Sequence, residues 1–422
     1  MSALLQAQTD ACSCPATGDL VSVGLAMAIG MAEAWPIAET ELVGLGDAAG
    51  RILAQAIKAD CPLPRFDYSA MDGYAVNTSS LTAGLPGRLR IAGTVAASRT
   101  VGHPVLQHGC TFRILTGAPM PAGADAVVVQ EDVKRDGDHI VLSRAPKQGD
   151  NIRRRGEDVL AGETMLEAGT LVGPVQAGVA AALGYPGLRM FRRLRVAIFT
   201  NGSELRQPGE NLLPGEIYDS NRFILRSLLA EPWIDIIDLG TCIDRPSDLR
   251  EILQTAAARA DVIICAGGIS VGDEDHIMEA FRRCGGRLHV RKVAMKPGKP
   301  VTLGRIADAT FVGLPGNPGA LFTTFKVIVE RILQLRAGMK SAVPLQKSAI
   351  AEFEYAGRQG LTTYLPAVVA GVDAGLPVVA TLPNANSGKL QLLNRAQGFV
   401  VIEPDTTAVR PGQRVRWMPF QM

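Results

Sequence analysis

From about residue 192 onward the chain repeats one unit: a short, mostly apolar run, then a run whose apolar residues return every three or four positions. RVAIF precedes NRFILRSLLA, IDIIDLG precedes PSDLREILQTAAARA, DVIICAGG leads to HIMEAFRRC, and ATFVGL precedes ALFTTFKVIVERILQL. A run apolar at every position suits a strand covered on both faces, and the 3.6-residue period suits a helix with one buried side. Strands alternating with helices predict an α/β fold with a doubly wound, mostly parallel sheet. Ligands of such sheets bind outside the carboxyl ends of the strands, so the chemistry is to be sought in the residues that end each strand.

Four strand ends carry polar motifs. RVAIF runs into TNGSEL with Glu204, IDIIDLG into TCIDRP with Asp244, DVIICAGG into ISVGDED, and ATFVGL into PGNPG with Pro315 and Asn317. RLHVRKVAMKPGKPVTLG reads as a β-ribbon that gathers Lys292, Lys296 and Lys299, with Pro297 and Gly298 in its turn. A strand, a glycine turn and a helix start form an anion site, because free N–H groups and the positive end of the helix dipole converge there. Gly267, Gly268, Ser270 and Gly272 make such a turn, yet Asp273, Glu274 and Asp275 stand where the anion would lie. A divalent cation removes the conflict. Mg²⁺ takes carboxylate and phosphate oxygens together, so Glu204 and Asp275 would hold it against a phosphate on the glycine amides, and the lysines would neutralise the remaining charge. Taken singly, an acid after a strand is ordinarily a helix cap, and PGNPG and KPGKP are ordinary turns; their convergence on one sheet edge is what argues for a site. GGISVG also holds the nucleophile-elbow pattern of serine hydrolases, which needs an acid and then a histidine from later strands. After Ser270 the histidines are His276 and His289, too close in sequence to supply that order.

A chain of 422 residues exceeds one core, so several domains are expected. LVSVGLAMAIGMAEAW, residues 20–35, is too short to span a bilayer, and no Lys or Arg precedes Arg51 to form a secretory signal. It is expected to be a core helix capped by Asp19. Residues 19–57 and 150–190 read as a helical linker and dimerisation domain, interrupted by an inserted β domain over 58–149 with short β-like runs between Gly, Pro and Asp turns. The α/β domain spans 191–340, and 341–422 reads as a β barrel or sandwich. Hydrophobic content of 47% with a net charge of +2 describes a soluble protein and gives no case for nucleic acid or membrane as partner. Seven scattered cysteines, an odd number, support no disulfide framework and predict a reducing, cytoplasmic setting. Cys12 and Cys14 lack the second pair that zinc would need.

FDYSAMDGYAV, RILTGAPMPAGADAVV, NIRRRGEDV, NGSELRQPGENLLPGEIYDSN, GGISVGDED, KPGKP and GLPGNP occur one after another in this order. The chain thereby resembles the molybdopterin molybdenumtransferase family, bacterial MoeA and the E domain of gephyrin, from about residue 20 to the end. The resemblance implies Mg²⁺-dependent insertion of molybdate into adenylylated molybdopterin, with release of AMP and formation of molybdenum cofactor. It also implies an elongated homodimer of four domains per chain, with a MogA-like α/β domain, an elongated helical domain and a C-terminal β-barrel. Hand-over of the product to molybdoenzymes or their chaperones is implied as well. By motif, Glu204 and Asp275 resemble the magnesium-side acids and Asp244 the acid after the second strand. Ser270, Lys292, Lys296 and Lys299 resemble the phosphate and molybdate contacts. Asp72, Thr116 and Asp158 resemble further residues that activity needs; they lie outside the α/β domain, which implies a shared cleft, one formed across the dimer included. Ser387 keeps its family place in the C-terminal domain, but Pro366 stands where the family carries Arg, and Gln397 where it carries Asn. Arg358 is the nearest alternative anion contact and equally a turn residue beside Gly357 and Gly360. Two other readings stay open: a variant that uses tungstate or another pterin form, and a non-catalytic pterin-binding scaffold.

Overall fold

A computed structural model describes residues 20–81, 87–98, 104–269, 276–340, 346–357, 359–382 and 388–420. The chain divides into two compact units: the described part of Met1–Gln55 with Ala168–Ala177 and Gly187–Met422, and Ala56–Glu167 with Gly178–Pro186.

The alternating segment forms β1 (Leu194–Asn201), α1 (Ser220–Leu228), β2 (Ile234–Cys242), α2 (Pro246–Arg259), β3 (Val262–Ala266), α3 (His276–Arg283), β4 (Arg287–Val290), β5 (Thr302–Ile306), β6 (Ala309–Leu314) and α4 (Pro318–Thr324). They build one six-stranded sheet in the order β2-β1-β3-β6-β5-β4. The first four strands run parallel, and β5 pairs antiparallel with both β6 and β4, which makes the expected lysine ribbon. Every residue of β3 and β6 is buried, the physical reason those runs are apolar throughout. Leu225, Phe325, Ile328 and Ile332 cover one face of the sheet. Leu249, Leu253, Ile277 and Phe281 cover the other, with the Phe281 and Phe311 rings 4.7 Å apart.

The first helix, Val23–Ala32, belongs to the same unit. Its cap is Ser22, whose hydroxyl accepts the Leu25 N–H at 3.2 Å; the expected cap, Asp19, lies outside the described residues. Helices are few around it: strand Thr40–Gly44 pairs with Gly187–Phe191, and a second ten-residue helix spans Pro174–Leu183. A Cβ on Gly30 would lie 2.6 Å from Ile332 Cδ1, so glycine lets this helix approach the α/β core closely. No helix among the described residues is long and apolar enough to cross a membrane.

The C-terminal strands close on themselves. β7 (Lys347–Ala351), β8 (Thr362–Asp373), β9 (Leu376–Thr381), β10 (Gly398–Ile402) and β11 (Arg414–Pro419) pair as β8-β9-β7-β11-β10 and back to β8. This five-stranded barrel is filled by Ala349, Ala351, Val379, Val400 and Trp417. Closure leaves no edge to aggregate. The two unusual residues of this region have structural places. The Gln397 side-chain carbonyl accepts the Val369 N–H at 2.7 Å, where the β8–β9 register slips. Pro366 faces Phe399 across the β8–β10 ladder, and its carbonyl accepts the Leu382 N–H at 3.0 Å.

The second unit holds a six-stranded sheet in the order Ala126–Val129, Gly73–Val76, Cys110–Ile114, Gly87–Val95, His139–Leu142, Val133–Asp136. Tyr74, Val76, Leu89, Ile140 and Leu142 fill one of its clusters.

Candidate functional site

Three strands of the α/β sheet deliver polar groups to one edge. Asn201, only 3% exposed, ends β1, and its side-chain N–H donates to Asp244 Oδ1 at 3.1 Å. His276 Nδ1, from the start of α3, lies 3.5 Å from the same carboxylate oxygen. Gly267 and Gly268 come directly after β3 with φ of 90° and 69°. A Cβ on Gly267 would lie 2.4 Å from the Asn201 carbonyl oxygen, and one on Gly268 2.1 Å from Asn201 Nδ2. The glycine pair is therefore required by the close approach of β1 as well as by its left-handed backbone. Asn201 Oδ1 is buried with no hydrogen-bond partner among the described residues. Burial, reinforced by Asp248 and Asp244, pushes the Cys242 thiol up to about 11, so it stays protonated and is no nucleophile. Ser270, Gly272 and Asp275 lie outside the described residues.

Glu204 is exposed one turn beyond β1, and its carbonyl accepts the Ile217 N–H at 2.9 Å, which holds the two arms of the NGSEL to EIYDSN loop together. Asp219, 1% exposed, caps α1 by accepting the Arg222 N–H at 3.1 Å and accepts the Thr241 hydroxyl at 3.0 Å. Asn221 donates to the Gly316 carbonyl at 2.6 Å and so fixes the PGNPG loop. Sequence reasoning missed Asn201, Asp219, Asn221 and His276. The signal was present in polar residues placed at the ends of apolar strands and the starts of helices.

Six predicted residues do meet. Lys296, Pro297, Gly298, Lys299, Pro315 and Asn317 line a cavity of about 860 Å³, completed by Tyr355, Thr363, Tyr364, Pro366 and Lys389 around the barrel. Hydrogen bonding joins the two sources, because Met295–Lys296 pairs with Thr362 and Thr363 of β8. Gly298, at φ 110°, could carry no side chain, since a Cβ would meet Thr324 Cγ2 at 2.3 Å. Burial pushes the Tyr364 phenol up to about 12, so it remains a neutral donor. Lys292 does not line this cavity; its carbonyl accepts the Val21 N–H at 3.1 Å. Arg358 and Ser387 lie outside the described residues.

In the second unit Asp72 Oδ1 accepts both the backbone N–H of Thr116, at 2.7 Å, and its hydroxyl, at 2.8 Å. These two hydrogen bonds hold the Asp72 carboxyl below the ordinary aspartate range, against a small opposing effect of desolvation and with help from Arg113. Asp158 is exposed, and its N–H donates to the Leu63 carbonyl at 3.1 Å. Asp67 binds Arg154 Nη1 and the Arg155 N–H, both at 2.7 Å, and so folds NIRRRGEDV onto FDYSAM.

Residues 21–184 match the MoeA N-terminal region (domain I and II), 197–334 the probable molybdopterin binding domain, and 348–420 the MoeA C-terminal region (domain IV). The chain is 35% identical over 387 residues to the molybdopterin molybdenumtransferase of Haemophilus influenzae, covering 90% of this chain and 94% of that one. The chain belongs to the molybdopterin molybdenumtransferase family. A second family member, molybdopterin molybdenumtransferase 2 of Mycobacterium tuberculosis, is 35% identical over 382 residues, 89% of this chain and 93% of its own. The crystal structure of the molybdopterin biosynthesis MoeA protein from Pyrococcus horikosii superposes with a TM-score of 0.80 at 27% identity, covering 96% of this chain and all of that one.

Among the described residues no three His, Cys, Asp or Glu side chains gather closely enough to hold a metal unaided. Mg²⁺ keeps water and substrate oxygens in its shell and needs only one or two carboxylates. Glu204, exposed at the sheet edge, fits that donor chemistry.

Proposed function

We propose that this chain inserts molybdate into adenylylated molybdopterin, releasing AMP and forming molybdenum cofactor. The supporting observation is the 860 Å³ cavity, which holds three lysines and no Asp or Glu among its lining residues. Its size suits an organic polyanion together with an oxyanion, and its charge suits both. Lys296 and Lys299 would neutralise the molybdate and phosphate oxygens, while Asn317 and the peptide groups of the two proline-rich loops orient them. The Gly268 amide is the phosphate contact at the sheet edge, since the Gly267 N–H already donates to the Leu314 carbonyl at 3.1 Å, and Asn201 holds Asp244 beside it. Glu204 and Asp275 would hold Mg²⁺, which when bound neutralises charge on the phosphoanhydride being cleaved. Asp72, kept ionised by Thr116, and Asp158 are proposed to serve the same reaction. The helical, inserted β, α/β and barrel domains at the expected boundaries, a homodimer and a cytoplasmic location belong to the same proposal, as does delivery of the product to molybdoenzymes or their chaperones.

The test is incubation of the pure protein with adenylylated molybdopterin, Mg²⁺ and either molybdate or tungstate, with AMP and pterin-bound metal measured. AMP release with molybdate that needs Mg²⁺ and is lost in Glu204→Ala is the expected result. Release with tungstate alone would favour the variant reading, and pterin binding without AMP release the scaffold.

A further inference from the structure

Among the described residues, the barrel gives the cavity a single charged side chain. Tyr355, Thr363, Tyr364, Pro366 and Thr381 line it without charge, whereas Lys389 stands at the start of the helix Leu390–Arg395. The other cations, Lys296 and Lys299, come from the ribbon between β4 and β5. None of the three has an ion-pair partner among the described residues. An isolated exposed lysine is merely solvated, but three around one cavity without an acid repel one another until an anion arrives. Pro366 offers that cavity neither charge nor N–H, and among the described residues Lys389 is the barrel cation that lines it.

We propose that Lys389 is the anion contact of the barrel, and that it selects an extended organic phosphate reaching both the ribbon and the barrel over a free tetrahedral oxyanion. A tetrahedral oxyanion is satisfied by Lys296 and Lys299 and has no reach to spare. An organic phosphate whose apolar body lies beside Leu361, Leu365 and Leu392 spans the cavity, so that its phosphate is held between the ribbon lysines and Lys389 of the barrel. The inference rests on the proposed reaction, in which the adenylylated pterin occupies this cavity, and adds the residue that discriminates it.

Calorimetry with AMP and, separately, with molybdate tests this on the full chain as wild type, Lys389→Ala and Lys389→Arg. Lys389→Ala is expected to weaken AMP about tenfold, as loss of a charge-assisted contact does, and to leave molybdate affinity within about twofold. It should raise KM for adenylylated molybdopterin with kcat unchanged, and Lys389→Arg should restore binding. An unaltered melting temperature shows that the fold is intact. AMP affinity equal to wild type in Lys389→Ala, or an equal loss for both anions, overturns the role of Lys389 while turnover by the wild type leaves the reaction assignment standing. Wild-type protein that binds neither probe overturns both.

Discussion

Asn201 shows how one residue dictates its neighbours. Its carbonyl lies where a Cβ of Gly267 would be and its amide where one of Gly268 would be, and the same amide positions Asp244. Gly268→Ala would put a side chain on a left-handed backbone and force it against Asn201, combining about 1–2 kcal/mol of conformational cost with 1–3 kcal/mol of overpacking. We expect a loss of about 2–5 kcal/mol in urea denaturation, with loss of phosphate binding even where the variant folds. A Gly268→Ala protein as stable as wild type would show that Asn201 moves aside freely.

At the scale of elements, Asp219 joins β1, β2 and α1. It caps the helix and takes hydroxyls from Thr200 and Thr241 while itself buried. Its removal loses a cap worth about 1 kcal/mol and leaves the partly buried Thr241 hydroxyl without its acceptor at about 1–2 kcal/mol, while Thr200 can still donate to Thr241 Oγ1 at 3.2 Å. Asp219→Ala should therefore cost about 2–3 kcal/mol, and Asp219→Asn, which caps equally well, clearly less. Thermal melts in which the two variants coincide would contradict this account. The first helix gives the opposite lesson, because Ser22 and Asp19 are both competent caps and only the observed start of the helix at Val23 decides between them.

At the scale of the whole molecule, four aspartates among the described residues are held ionised by specific partners. Partial burial disfavours the charged form of Asp261, but Arg192 at 2.6 and 2.8 Å and the Arg195 N–H at 2.8 Å more than offset it, and its carboxyl is lowered. Asp238 is lowered in the same way, its burial outweighed by Arg222, Arg226 and the Gly240 N–H. Asp67 and Asp72 behave alike in the other unit. A carboxyl lowered in the folded state contributes stability above its unfolded value, near 3.8 here, and loses it as pH falls through the folded value. The urea midpoint should thus be nearly constant from about pH 7 to 5 and decline steeply below about pH 4. Asp261→Asn should lower the midpoint at neutral pH and flatten the acid limb; an unchanged acid limb would remove Asp261 from the explanation.

The sequence alone determined the order of strands and helices, because each element's burial is written locally as an apolar run or a 3.6-residue period. It also determined the chemical types at the strand ends, so Glu204, Asp244, the glycine pair and the lysine ribbon were legible from residue order. What only tertiary structure decided was which of those groups meet. The barrel brought Tyr364, Pro366 and Lys389 to the KPGKP loop across more than sixty positions of chain, and the pairing of Met295–Lys296 with Thr362 and Thr363 that joins them leaves no periodic trace. Asn201 and Asp219 were equally hidden, since a buried polar residue is specified by the partner that satisfies it, and that partner comes from a different strand.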